Sequence, residues 1–325
     1  MVGWHLLALL GIEMVAYGGI GYFAHRAWGY TTAGGIVLAL SIYLCVRILL
    51  VAAEFVLARW QGEPIPDAMR QPAWVLAVMY LRELAGWIVM FSIVLPFMPA
   101  RRSVVGSHAL APRGADAAQT LPILLVHGLA CNRGNWFWFR QRLTHRGLLA
   151  FTMDYTPWFA TIDAYVPQLA AAIEEICSAT GRNKVIVIAH SMGGLVTRAY
   201  LDRFSAEKVA YTITLGTPHQ GTWMTRFGFT PNVRNMAVDS AWLSSLRERE
   251  FRRTQCPYGA FTCVFTYHDN LVTPQHNATL PGAKQIPVAG IGHLSLALSP
   301  RVLEHVVAEI ERASEEASAP VRARA

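Results

Sequence analysis

Residues 184–196 read KVIVIAHSMGGLV, and the side chain among them best suited to covalent chemistry is the hydroxyl of Ser191. Val185, Ile186, Val187 and Ile188 form a continuous β-branched run, which suits a strand buried on both faces of a parallel sheet. Beyond the serine the period changes. Leu195, Ala199 and Tyr200 recur at helical spacing, and Arg198, Asp202 and Arg203 supply a polar side. Backbones crowd where a strand turns so abruptly into a helix, and Ala189, Gly193 and Gly194 carry little or nothing that would obstruct them. The hydroxyl is left on strained backbone above a sheet, beside a helix N-terminus whose amides favour negative charge. That geometry suits a nucleophile in acyl transfer. A strand-to-helix turn with an inert serine would look the same locally, so the choice rests on partner groups elsewhere in the chain.

AHSMGG resembles the nucleophile elbow of α/β-hydrolase lipases and esterases, in the variant with alanine at the first glycine position. The resemblance implies an acid and then a histidine base after the serine, in that chain order. FTYHDNLVTP and GIGHLSL are similar to the lipase segments D-x-L-V-x-P and G-x-x-H, and they assign these roles to Asp269 and His293. Both residues lie just past predicted strands, on the side of such sheets where ligands bind. Rivals are weaker. His190 is too close in chain to serve Ser191, His268 faces away from Asp269 if strand alternation persists, and Asp154 and Asp163 precede the serine. LLVHGLACN, residues 124–132, resembles the family's first strand and loop; it implies an oxyanion hole built from the amides of Leu129 and Met192. TLGTPHQGT, residues 214–222, is similar to a further lipase segment. The resemblance spans about residues 120–310. No phosphate-cradling glycine loop, CxxC cluster or metal-ligand spacing competes, so neither cofactor nor metal is expected.

Those groups need a framework. Strands are predicted at Pro122–Val126, Leu149–Met153, Val185–Ile188, Ala210–Leu215, Phe261–Thr266 and Gln285–Val288. Helices are predicted near Trp136–Arg146, Ile162–Ala179 and Leu195–Phe204, and a last one at Pro300–Glu316 has Val302, Val306 and Ile310 on one face. This alternation predicts a mostly parallel sheet with helices on both faces. The fold class expected is therefore an α/β-hydrolase domain over residues 120–317, with residues 221–256 inserted as a cap or lid and residues 318–325 a frayed tail. Aromatics gather near the site, and Trp136, Phe137, Trp158, Phe229 and Trp242 are candidates for an acyl pocket. Simple packing of the loop after the first strand accounts for Trp136 to Phe139 equally well.

The rest of the chain is of another kind. Over half of the 325 residues are apolar and the mean hydropathy is positive, which is too hydrophobic for an ordinary soluble enzyme. The excess sits in residues 1–102, in three stretches at Trp4–Ala24, Thr31–Leu57 and Ala73–Pro99. Each could cross a hydrocarbon core of ~30 Å, which needs about 20 helical residues. Met1–His5 lacks a basic n-region, which argues against a cleaved leader. Gly18, Gly19, Gly21, Gly34 and Gly35 suit close packing of helices in lipid. Glu13, Arg47, Glu54, Arg82 and Glu83 are expected to face one another across the bundle, because an isolated charge at mid-bilayer costs ~3 kcal/mol or more.

An all-α transmembrane region is therefore expected before a linker at residues 103–119. The five acids and five arginines of residues 1–100 cancel, so the whole net charge of +7 falls on the remainder, which favours an anionic lipid surface. No basic run with interleaved aromatics suggests nucleic acid. Cys256 and Cys263 are close enough to bridge, or are two free thiols. The reading that unites these features is a membrane-anchored serine hydrolase of lipid or acyl esters, at the bacterial inner membrane with a lean to the periplasmic side. Phospholipase A or lysophospholipase activity, acyl transfer, and a non-catalytic membrane scaffold are the alternatives. Oligomeric state is left open.

Overall fold

β-Branched and leucine-rich runs become strands wherever both faces are covered. In the computed structural model, which describes residues 2–98, 104, 120–252 and 257–318, these are β1 (Ile123–Val126), β2 (Ala150–Thr152), β3 (Val185–His190), β4 (Val209–Leu215), β5 (Phe261–Thr266) and β6 (Lys284–Val288). They form one sheet in the order β2-β1-β3-β4-β5-β6, with every neighbouring pair parallel. Every residue of β1, β2, β3 and β5 is buried, whereas β6 at the edge is mostly not. The chain runs from β1 out to β2 and returns to β3 on the other side of β1. The crevice at that reversal is where such sheets bind ligands.

Helices cover both faces. On one, α5 (Val166–Thr180) and α6 (Met192–Phe204) bury Ile173, Ile176, Leu195 and Val196 against Val185 and Val187. On the other, α4 (Phe137–His145) and α9 (Pro300–Ser318) bury Phe139, Leu143, Val302, Val306 and Ile310 against Ile186 and Ile188. The segment after β4 holds a 3-10 turn (Trp223–Phe227), α7 (Pro231–Asn235) and α8 (Ala241–Phe251). The carboxylate of Glu250 in α8 accepts from the guanidinium of Arg198 in α6, both buried. Cys263 is a buried free thiol; Cys256, nearly all of the 103–119 segment and residues 319–325 lie outside the described residues.

Three helices precede the sheet: α1 (Val2–Trp28), α2 (Thr32–Gln61) and α3 (Ala73–Val89), the last continued by a π-turn and a short helix to Phe97. Each is long and apolar enough to cross a membrane. The first two form a hairpin, with Thr31 capping α2 by accepting from the Gly34 amide. They touch at Gly21 and Gly35, where an added Cβ would collide with the facing carbonyl, while Gly18 and Gly19 face open space. The hairpin leaves Ile12, Met14, Val15, Leu40 and Leu49 exposed. Only 6% of the most apolar window of α1 and of α2 is buried, against 33% for α3, so α3 is the one of the three that packs along the sheet domain.

That packing corrects the expected charge pairing. Glu13 does face Arg47, at 2.5 Å, and the Arg47 guanidinium also lies over the Tyr43 ring. Glu54 and Glu83 do not face the bundle. Both turn toward loops of the sheet domain: Glu54 accepts from Asn270 Nδ2, and Glu83 from the amides of Leu294 and Ser295. Arg82 is exposed and lines a cavity of about 660 Å³ between α3 and residues 290–301. The physical reason is that each carboxylate has donors of a sheet-domain loop within hydrogen-bond reach, the Leu294 and Ser295 amides for Glu83 and the Asn270 side chain for Glu54.

Contacts from the helical region fall on loops beyond the C-terminal ends of strands. His5 meets Trp158 edge-on at 6.1 Å, Trp60 meets Trp223 at 6.3 Å, and Asn132 Nδ2 donates to the Leu95 carbonyl. Glu63 accepts from the amide of His276. The helices therefore sit at the edge of the sheet that carries Ser191.

Candidate active site

Ser191 joins β3 to α6 with φ 55° and ψ −127°, outside the ordinary regions for a residue with a side chain. Neighbours hold it there. The Ser191 amide donates to the Leu215 carbonyl of β4, and its own carbonyl accepts from the Gly194 amide. A Cβ at Gly193 would come within 2.6–2.7 Å of the Val126 and His127 carbonyls, so the elbow closes against the end of β1 only with glycine there. The structure thus places the serine at the crevice between β1 and β3.

Asp269 and His293 come together across the ends of β5 and β6. His293 Nδ1 lies 2.9 Å from Asp269 Oδ2, both side chains almost wholly buried. The other oxygen, Oδ1, accepts from the amides of Leu271 and Val272 at 2.8 and 2.7 Å, which fixes the carboxylate plane. The His190 and His293 rings are 4.8 Å apart, which brings the imidazole to the residue preceding the serine. Among the described residues no hydrogen bond joins the Ser191 hydroxyl to His293. Resting hydrogen bonds of this type often tighten when a substrate binds.

Leu129 lies in the turn after β1, and Met192 opens α6. Neither amide meets an acceptor among the described residues. Tyr155 O–H donates to the carbonyls of His127 and Gly128 while its ring stacks on His127 at 4.1 Å, which steadies the loop bearing Leu129.

Comparison with known proteins bears on this arrangement. A family model described as a PGAP1-like alpha/beta domain matches residues 160–264. Two curated relatives are triacylglycerol lipases. That of Burkholderia plantarii is 31% identical over 48% of this chain and 41% of its own length. That of Pseudarthrobacter phenanthrenivorans is 33% identical over 33% of this chain and 35% of its own. The chain thus spans about two fifths or less of the relatives it matches. Among solved structures, a mature lipase of Bacillus licheniformis superposes with a TM-score of 0.54 at 20% identity, covering 63% of this chain and 96% of that one. Lipase B of Aspergillus fumigatus gives 0.53 at 17% identity, covering 66% and 59%. The fold is that of the α/β-hydrolases.

Other titratable groups of this α/β-hydrolase fold are engaged elsewhere. Asp154 takes the amide and the Nε of Arg133, each at 2.7 Å, and Asp163 accepts from Trp242 Nε1. His268 Nδ1 faces the Gly290 amide, and burial lowers its pKa. His190 is driven down to about 3, chiefly by burial and also by the neighbouring His293, so it is neutral at working pH. Burial likewise lowers His127. His293 behaves in the opposite way. Burial pulls it down, but Asp269 against Nδ1, with Glu83 and Glu54 behind, holds it above the ordinary value.

The candidate pocket aromatics do not converge. Trp136 is fully buried, edge-on to Phe139 and His190; it supports the elbow from beneath and offers no face to a ligand. That corrects its assignment, because the loop after β1 tucks inward at Trp136 to complete the core beside α4. Phe137 is exposed and lines the cavity beside α3, Trp158 packs on His5, and Trp242 is tied to Asp163. Phe229 is 82% exposed. Sequence reasoning missed Asn270, Glu54 and Glu83. Asn270 Oδ1 accepts from the His293 amide and its Nδ2 donates to Glu54. A signal existed only for Asn270, which adjoins Asp269 in the motif.

Proposed function

We propose that this protein is a membrane-held serine hydrolase of carboxylic esters, with acyl lipids as its substrate class. The observation that carries the reading is the buried Asp269–His293 pair beside a strained Ser191 at the crevice between β1 and β3. Ser191 Oγ attacks the ester carbonyl as His293 Nε2 takes its proton. Asp269 keeps the other ring nitrogen protonated and steadies the imidazolium. Negative charge on the tetrahedral oxygen is met by the amides of Leu129 and Met192, two such donors being worth about 3 kcal/mol each. Collapse expels the alcohol, which takes the proton from His293, and water then releases the acyl group by the same steps.

Lipid as the substrate class is supported by the triacylglycerol lipase relatives and by the place of the apolar helices. The α1–α2 hairpin, with its exposed apolar side chains, inserts in the bilayer, and α3 holds the sheet domain against it with the catalytic loops on the membrane side. The two curated relatives named above are bacterial, which supports a bacterial membrane. Anchoring of α8 through the buried Glu250–Arg198 pair supports a static cap over a moving lid.

The test is hydrolysis of p-nitrophenyl esters of graded chain length by the full chain in detergent, with labelling by a fluorophosphonate. Ser191→Ala is expected to abolish labelling and lower hydrolysis at least ~10³-fold with the fold intact. Near-normal turnover in that variant overturns the reading.

A further inference from the structure

We propose that Glu83 of α3 and Glu54 of α2 are positioning residues for the His293 loop, so that the apolar helices complete the active site as well as anchor it. The proposal rests on the reading of His293 as the base.

His293 is followed at once by a 3-10 turn, Leu294–Leu298, whose opening amides have no partner within the turn. Glu83 supplies the acceptors from more than 200 residues away. Its Oε1 accepts from the Leu294 amide at 2.7 Å, and its Oε2 from the Ser295 amide at 3.0 Å and the Ser295 hydroxyl at 2.5 Å. Both oxygens thus face backbone donors of the His293 loop. Glu83 is fully buried, and a Cβ at Gly292 would sit 2.6 Å from its carboxyl group, so the loop has folded directly onto it.

The other flank is held through Asn270. Its Oδ1 accepts from the His293 amide at 2.9 Å, and its Nδ2 donates to Glu54 Oε2 at 2.7 Å. Glu54 therefore fixes which way the Asn270 amide points. A flipped amide would present Nδ2 to the His293 N–H, donor to donor. The backbone on both sides of the catalytic imidazole is accordingly pinned by carboxylates from two different helices.

These contacts also set the field at the ring. The ionisable groups facing His293 are Asp269 from the loop after β5, His190 from β3, Glu83 from α3 and, through Asn270, Glu54 from α2. His190 is neutral at working pH, so the charges are all acidic. Each, when ionised, favours the imidazolium.

The substitutions separate the acceptor from the bulk of the side chain. In Glu83→Gln one acceptor oxygen becomes an NH2 group facing a donor, so the loop shifts. In Glu54→Gln the amide oxygen still accepts from Asn270, whereas Glu54→Ala removes that acceptor and frees the Asn270 amide to flip. The experiment measures kcat and KM for a short p-nitrophenyl ester, on full-length chain in detergent, for wild type, Glu83→Gln, Glu54→Ala, Glu54→Gln and Ser191→Ala.

Glu83→Gln is expected to lower plateau kcat by about 10²-fold, the cost of a small misplacement of a catalytic group, with little change in KM. Glu54→Ala is expected to lower plateau kcat about ten-fold with little change in KM, and Glu54→Gln, which keeps the acceptor, to restore it. A merely structural clip would lower the folded fraction and not kcat per folded molecule, and the Glu54→Ala and Glu54→Gln pair decides the matter even where Glu83→Gln does not fold. Wild-type kcat in Glu54→Ala, or an equal loss in Glu54→Ala and Glu54→Gln, with Ser191→Ala inactive, overturns this inference alone. Activity in Ser191→Ala overturns the functional reading beneath it.

Discussion

Glu13 and Glu83 both lie midway along apolar helices, and they find partners in opposite directions. Glu13 of α1 is answered within the hairpin by Arg47 of α2, with Tyr43 on the far side of the guanidinium. Glu83 of α3 is answered from outside the helices, by three donors of the His293 loop. The first arrangement closes the hairpin on itself, and its surroundings are exposed apolar side chains. The second ties a helix to the edge of the sheet that carries Ser191. A charge in an apolar helix marks something that must be satisfied, and the location of its partner tells whether that helix is an anchor or part of a site.

The largest effect expected lies inside the sheet domain and tests whether the His293 loop has the importance this contrast assigns to it. Asp269→Asn leaves Oδ1 free to keep its bonds to Leu271 and Val272 but sets an NH2 against His293 Nδ1, favouring the wrong tautomer. Loss of kcat by ~10³- to 10⁴-fold is the expected outcome in ester hydrolysis. Asp154→Asn, which weakens the Arg133 contact, is expected to cost stability and little turnover. The reverse ranking would move the acid to Asp154 and detach α3 from the chemistry.

Why the sheet and this pair were readable, and the helix contacts were not, follows from the range over which each is specified. Val185 to Ile188 declare a doubly covered strand within four residues, and the elbow follows in the next six. Asp269 and His293 sit at strand ends that the alternation already locates. Glu54 and Glu83 carry no such local mark. Their partners lie more than 200 residues on, and opposite charge on a neighbouring helix offered the simpler solution. Trp136 was ambiguous for a related reason: an aromatic after a strand fills the core or a pocket according to which way one loop tucks, and here it tucks inward.

A second prediction tests the self-contained side of the contrast. Glu13→Ala leaves the Arg47 guanidinium unpaired at a site where its side chain is only 10% exposed. Breaking one partner of a buried pair costs about 3–5 kcal/mol. A lower melting temperature in detergent is therefore expected, with kcat and the acid limb of the folded fraction unchanged. A shifted acid limb would show that the hairpin also reaches His293, and the distinction between anchor and site would fail.

The third concerns the wild-type acid limb. His293 acts as base only when neutral, and its pKa is held above the ordinary value, led by Asp269 over the opposing effect of burial. Activity should therefore rise with pH through a midpoint above ~6.5, the unperturbed histidine value. A midpoint below that value would mean that burial outweighs the acidic neighbours, Glu83 and Glu54 among them. The measurement is kcat/KM against pH on a short ester, which reports the free enzyme.

The smallest effect expected is at the cap, which touches the helical region near the end of α2. Trp60 meets Trp223 there, Trp223 meets Phe227, and Phe227 and Phe229 are 61% and 82% exposed. These rings continue the apolar surface of the helices past Gln61, and under the proposed function they rest on lipid. Phe229→Ser then weakens engagement with a lipid surface by about 1 kcal/mol, a part of what full burial of the ring would bring. Palmitate ester presented in vesicles should be hydrolysed roughly five-fold more slowly, while a dissolved acetate ester is hydrolysed at the wild-type rate. Trp242 is held on the other side of the cap by Asp163, so Trp242→Ala should show no such preference for vesicles. If Phe229→Ser slows both esters equally, the ring belongs to the site itself, and the cap joins α3 as a part of the catalytic edge.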